Sequence, residues 1–180
     1  MYTKVEEAIW FATKAHQGQK RKDGTDFICH PITVAYMLKE MGLDEKYVVI
    51  AVLHDIIEDT ANNYNDIKER FGEEIANAVR SISENPKIKD YRLRKSAFME
   101  QIRNLDSNIL LVEAADKLHN LLYDYNVNPN ILSDYSEHRR WFYFEMQKII
   151  NKKCKGVIVD RLNKMISLLK PLDPDSKYLK

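Results

Sequence analysis

Glycine and proline are scarce, five of each in 180 residues, so no flexible interdomain linker is present, and neither a repeat nor a low-complexity tract divides the chain. Cysteine is scarcer still. Cys29 and Cys154 cannot build a disulfide framework or a zinc ribbon, and they read as free reduced thiols. No apolar run approaches a membrane span, and charges interrupt positions 1–10 where a signal peptide would need an apolar stretch. A cytoplasmic protein with no membrane partner is therefore expected. The formal net charge of +1 lacks the basic footprint of a dedicated nucleic-acid binder. Strand signals are nearly absent as well.

What remains is helical. Val5, Ala8, Ile9, Ala12 and Ala15 recur at helical spacing, as do Ile158, Leu162, Met165, Ile166 and Leu169. Gly42, Gly72 and Gly156 read as helix stops, and Asp44, Asn65, Asp106 and Ser133 or Ser136 as N-caps. A composition 44% hydrophobic and 31% charged suits one globular core. The expectation is an all-α protein, a compact multi-helix bundle. A single domain over residues 1–170 is followed by an unpacked tail at 171–180, and 126–130 forms a loop. Trp10, Phe98, Trp141 and Phe142 are assigned to packing.

One stretch resists this packing logic. After the apolar run Tyr47–Leu53, where a core helix would continue with leucines, the chain reads His54-Asp55-Ile56-Ile57-Glu58-Asp59-Thr60. Buried charge is costly unless paired or metal-bound. On a continuous helix Glu58 lies four residues from His54 and three from Asp55, so an imidazole and three carboxylates share a face. His30, placed before Pro31 at the start of an apolar helix, and Asp116, inside another apolar helix, supply partners. His30, His54, Asp55 and Asp116 form a nitrogen and oxygen ligand set suited to Mn, Fe or Zn. Octahedral coordination would leave positions open for water and a phosphate oxygen. Glu58 and Asp59, not needed as ligands, can orient that water and relay its proton. His16 and His119 are expected to be structural, and His138 is left open.

The order His, His-Asp, Asp resembles the signature of HD-domain metal-dependent phosphohydrolases. Longer stretches, Phe11 to Gly24, Phe27-Ile28-Cys29-His30-Pro31 and Ala115-Asp116-Lys117-Leu118-His119-Asn120, are similar to the alarmone hydrolase branch of the Rel/Spo family, its small stand-alone members especially. Ser136-Glu137-His138-Arg139 and Tyr143-Phe144-Glu145 resemble the late helix of the metazoan-type members. The resemblance implies an HD-domain bundle and one divalent ion, Mn2+ with Zn2+ or Fe2+ as alternatives. It also implies removal of the 3′-diphosphate from the guanosine polyphosphates of the stringent response, giving GDP or GTP and pyrophosphate.

The same resemblance assigns proton handling to Glu58 and Asp59. Arg21 and Lys22 would meet the nucleotide, Lys95 and the pair Arg139 and Tyr143 its phosphates, while Arg92 and Arg94 are surface charges. Asn120 can donate to ribose or phosphate. The alternatives are a nucleotide or NADPH phosphatase using the same site, and a non-catalytic guanine-nucleotide-binding regulator. Two departures bear on substrate identity. Glu113 stands at or near the place of a family lysine, and Ser83-Glu84-Asn85-Pro86 replaces a more usual threonine-containing turn.

Overall fold

The computed structural model describes residues 3–176 and 178. Among them are ten helices and no strand: α1 (Lys4–Ala15), α2 (Cys29–Glu40), α3 (Glu45–Leu53), α4 (Ile56–Asp59), α5 (Tyr64–Phe71), α6 (Glu73–Ser81), α7 (Tyr91–Ile102), α8 (Ser107–Val127), α9 (Glu137–Lys153) and α10 (Val157–Ile166). The all-α expectation holds. No helix among the described residues is long and apolar enough to cross a membrane.

The bundle is organised around α3 and α8. All of Val48–Leu53 is buried, so this part of α3 has no solvent face and is covered by α1, α2, α6 and α8, while Glu45 and Lys46 at its start are exposed. Helix α8, capped by the Asp106 side chain on the Asn108 and Ile109 amides, runs 21 residues, roughly 32 Å at 1.5 Å per residue. It touches α2, α3, α9 and α10. Helix α1 is capped reciprocally by Thr3 and Glu6. Its apolar stripe Ala8, Phe11 and Ala12 faces inward. Between α1 and α2 a polar loop is pinched by the isolated bridge between Lys20 and Asp26. That bridge fixes the segment carrying Arg21 and Lys22.

Several sequence expectations are corrected. The helix through His54-Asp55 is not continuous: α3 ends at Leu53 and α4 restarts at Ile56. His54 Nδ1 lies 2.7 Å from the Ala51 carbonyl, the oxygen to which the Asp55 amide would bond in an unbroken helix, and the imidazole competes for it. Asn63 rather than Asn65 caps α5, accepting from the Asn65 amide. Gly156 opens α10 instead of stopping α9. Helix α8 extends through Val127 into the segment expected to be a loop. Of the expected tail at 171–180, residues 177, 179 and 180 lie outside the described residues, while Leu172 and Tyr178 pack on the core and Tyr178 lies 5.8 Å from the Trp141 ring. Trp10 is 59% exposed, because it sits opposite the α1 stripe, and Lys14 covers its ring. Phe98, Trp141 and Phe142 are buried as expected.

Leu110 is fully buried on α8, so Leu110→Ala is expected to lower unfolding free energy by about 2–5 kcal/mol through lost burial and a residual cavity. Urea denaturation with an unchanged m-value would register it. A loss under about 1 kcal/mol would mean that the site collapses around the smaller side chain.

Candidate metal centre and anion cleft

Three chain segments bring four side chains together. His30 enters from the first turn of α2, His54 and Asp55 from the break between α3 and α4, and Asp116 from the middle of α8. His30 Nε2 lies 3.0 Å from Asp116 Oδ1 and 3.5 Å from Asp55 Oδ2. His54 Nε2 lies 3.2 Å from Asp55 Oδ2 and 3.7 Å from Asp116 Oδ1. Ligand atoms of His30, His54 and Asp116 all fall within 4.8 Å of one another, and all three residues are buried. Asp55 borders the same space, with its side chain 17% exposed.

The donor set fits a divalent cation. A carbonyl only accepts, so the bond from His54 to Ala51 puts the proton on Nδ1 and leaves Nε2 as a lone pair facing the carboxylates. Nε2 is buried without a hydrogen-bond partner among the described residues. An orphaned nitrogen between two aspartates is satisfied by a bound cation. In the absence of an ion, burial disfavours His54 protonation, but the Asp55 and Asp116 carboxylates reverse this and hold its pKa well above the usual histidine value. Burial likewise pushes Asp116 up, yet the Lys117 ammonium and the neighbouring His30 and His54 imidazoles hold it well below the usual carboxylate range. The site gathers negative charge and keeps it ionised.

Beside the ligand set stand Glu58 and Asp59. Burial pushes Glu58 up to about 8, and its Oε1 accepts the Glu84 amide at 2.7 Å. Burial also raises Asp59. Its backbone carbonyl accepts from Gln19 Nε2 at 2.6 Å, and Gln19 is in turn tied to His16 at 2.8 Å. His16 therefore holds the α1–α2 loop against α4, away from the ligand group.

These groups open into a cleft of about 440 Å³ lined by His30, Asp55, Glu58, Asp59 and Asp116. Arg21, Lys22, Lys95, Asn120, Arg139 and Tyr143 line it as well. Every substrate-contact candidate from the sequence thus reaches one cavity, with His54 just behind its wall. Arg21 stacks on Tyr123, 3.7 Å from the ring centroid, and donates to Asn120 Oδ1 at 3.2 Å. Asn120 passes the contact on, donating to Asp116 Oδ1 at 2.6 Å. Arg21 Nη1 is buried without a hydrogen-bond partner among the described residues, a donor left over for an anion. Lys95 is held by Glu84, and Arg139 by Asp124 at 2.6 Å. Lys22 lies 3.7 Å from Asp124.

Sequence reasoning missed four of these groups. Lys117 lines the cleft, bonds Asp116 Oδ2 at 2.5 Å and lies 3.3 Å from Glu113 Oε2, so a lysine one turn beyond Glu113 places a cation beside the aspartate. His119 Nδ1 lies 2.6 Å from His30 Nδ1, and burial pushes its pKa down to about 4. Asp124 and Glu84 hold the cations named above. A polar row at fourfold spacing on one helix, Asp116, Asn120 and Asp124, was the available signal for Asp124. Glu84 had none. Arg94 is not a free surface charge either, since it bonds Glu84 Oε2 at 3.0 Å. His138 packs beside Tyr91 and Tyr178, outside the cleft.

Comparison with known proteins places this geometry in a family. A bifunctional (p)ppGpp synthase/hydrolase of Escherichia coli is 37% identical over 124 residues, which is 66% of this chain and 18% of that protein. A guanosine-3′,5′-bis(diphosphate) 3′-pyrophosphohydrolase of Aquifex aeolicus is 39% identical over 123 residues, 65% of this chain and 17% of its own length. The match thus spans less than a fifth of these curated relatives. A solved structure described as a metazoan ortholog of SpoT that hydrolyses ppGpp superposes with a TM-score of 0.77 at 24% identity, covering 93% of this chain and 96% of that one. A protein of Listeria monocytogenes superposes at 0.68 with 27% identity, covering 77% and 91%. The family model for the HD domain matches residues 8–139, a span that holds both histidines and both aspartates of the buried cluster, and the chain belongs to the HD-domain family.

Proposed function

We propose that the protein is a Mn2+-dependent hydrolase that removes the 3′-diphosphate of guanosine 3′,5′-polyphosphates, with residues 1–170 acting as one catalytic domain in the cytoplasm. The observation that carries this reading is one cleft lined both by His30, Asp55, Glu58, Asp59 and Asp116 and by the cations Arg21, Lys22, Lys95, Lys117 and Arg139. A substrate with two diphosphate groups carries more negative charge than one divalent ion neutralises, and a cleft of this kind supplies the remainder. The names of the Escherichia coli and Aquifex aeolicus relatives support the same substrate class.

His30, His54, Asp55 and Asp116 would hold the ion, which when bound supplies Lewis acidity toward water and a phosphoryl oxygen. Glu58, raised by burial, accepts the proton of the attacking water while the Glu84 amide fixes the carboxylate. Asp59 lies beside it in the cleft wall and relays that proton. The water oxygen joins the phosphorus nearest the ribose, the bond to the 3′ oxygen breaks, that oxygen takes a proton, and pyrophosphate departs. Arg21, with an unused guanidinium nitrogen and Tyr123 beneath it, is suited to hold the nucleotide. Lys95 and Arg139 reach the phosphates by leaving Glu84 and Asp124. Incubation of the purified protein with Mn2+ and a nucleotide panel, with products resolved, tests the whole reading. Release of monophosphate only, from NADPH or a mononucleotide, would replace it.

Three outcomes are expected of variants. His54→Ala should lose stoichiometric Mn2+, measured by metal analysis after dialysis, together with turnover; retention of both would remove His54 from the ligand set. Glu58→Gln should keep the metal and lower kcat by roughly 10²–10⁴. In the wild type, kcat should rise with pH as Glu58 deprotonates, with a midpoint between its ordinary 4.5 and about 8, because a nearby cation favours the carboxylate. A pH–rate profile for Glu58→Gln that keeps this limb would show that another group titrates. Lys95→Ala and Arg139→Ala should each raise KM for guanosine polyphosphates several-fold with the metal retained, and less for substrates with fewer phosphates. Steady-state kinetics across that series, if unchanged in both, would reduce the two residues to structural ion pairs.

A further inference from the structure

The second ring nitrogen of a metal-ligating histidine needs a partner, and that partner decides which nitrogen carries the proton and how the ring is turned. His54 uses the Ala51 carbonyl. His30 uses another imidazole: its Nδ1 is 2.6 Å from Nδ1 of His119. The two ring centroids are 4.8 Å apart, with planes 30° from parallel. Face-to-face stacking would hold ring atoms roughly 3.5–4.0 Å apart, whereas rings joined end to end through Nδ1 give the shorter approach found here. One proton fits between the two nitrogens. With a cation held among His30 Nε2, Asp116 and Asp55, that nitrogen supplies its lone pair, so the proton belongs on His30 Nδ1 and His119 accepts it.

We propose that His119 is a positioning residue for the metal centre: it accepts the His30 Nδ1–H and so presents the Nε2 lone pair of His30 to the space shared with His54, Asp55 and Asp116. Helix α8 thereby sets two ligands at once. It contributes Asp116 directly, and three residues on, from the same turn, it orients the ligand on α2. Asn120 completes the turn by donating to Asp116 Oδ1. His119 is half-buried and also lines a separate surface cavity of about 590 Å³ with Asp23, Leu122, Tyr123, Asn126 and Val127. The 2.6 Å approach of its Nδ1 to His30 Nδ1 is a polar contact that packing does not require.

The test is Mn2+ affinity, measured on the full chain by equilibrium competition with a chelator, with no substrate present. His119→Ala and His119→Phe are expected to weaken binding by roughly 10–100-fold. His119→Asn, whose amide oxygen stands near the former Nδ1, should stay within a few-fold of wild type. The reverse order, with Phe rescuing and Asn not, would assign His119 to packing and overturn the proposal, as would equal affinity in all three variants. Should the alanine variant fail to fold, as judged by thermal melting, the Phe and Asn pair still decides the matter. The inference rests on the ligand set proposed above. A wild-type protein that binds neither Mn2+, Zn2+ nor Fe2+ would sink both, whereas tight wild-type binding with unaffected variants sinks only the role of His119.

Discussion

Asp55 and Asp116 are carboxylates placed among buried imidazoles, next to a helical run with no solvent face, and the rest of the site is arranged to keep them ionised there. An uncompensated carboxylate in such surroundings costs several kcal/mol, so each has to be met by positive charge or by donors. Asp116 is met by Lys117 on one oxygen and Asn120 on the other. Asp55 Oδ2 lies 3.5 Å from His30 Nε2 and 3.2 Å from His54 Nε2. The unsatisfied Nε2 of His54 marks where one more positive centre belongs. A site of this kind is poorly explained as a stabilising feature, because apolar side chains of similar volume would serve stability as well or better.

Helix α8 carries most of the arrangement. Its 3.6-residue period puts Glu113 and Lys117 on one row, and Asp116, Asn120 and Asp124 on the next, so a single rigid element sets the distance from the metal centre to the cationic part of the cleft. The cations on the facing elements are held by carboxylates before any ligand arrives. Lys95 is held by Glu84 and Arg139 by Asp124, and each carboxylate keeps a second partner, Arg94 at 3.0 Å and the Tyr135 hydroxyl at 2.6 Å. A phosphate can therefore draw off the lysine or the arginine without leaving the carboxylate bare. That lowers the cost of exchange in a partly buried cleft.

The helical class and the members of the buried histidine and aspartate cluster were legible in the chain because both are signalled locally. Periodicity shows helices, and polar residues inside apolar runs, such as His54-Asp55 and Asp116, announce themselves against their neighbours. The cations of the cleft were legible only by resemblance, since Lys95 and Arg139 on a helix face look like any solvated charge. Capping positions were less secure. Asn63 and Asn65 offer the same side chain two residues apart, and the choice depends on which backbone amides the turn leaves free.

By itself, the sequence determined which residues are available for metal chemistry and that they belong to helical stretches or their ends, because side-chain chemistry and hydrophobic period are properties of short segments. Tertiary structure alone decided how the ligands are supported and how the cleft is charged. The contact of His119 with His30 spans 89 positions and that of Arg21 with Asn120 spans 99, and no local pattern encodes which of several histidines or asparagines will meet a given partner. The break at His54 is decided there too. The side chain takes the Ala51 carbonyl that the helix would otherwise use, and what makes that exchange worthwhile is the company of Asp55, Asp116 and His30, brought up by packing against α2 and α8.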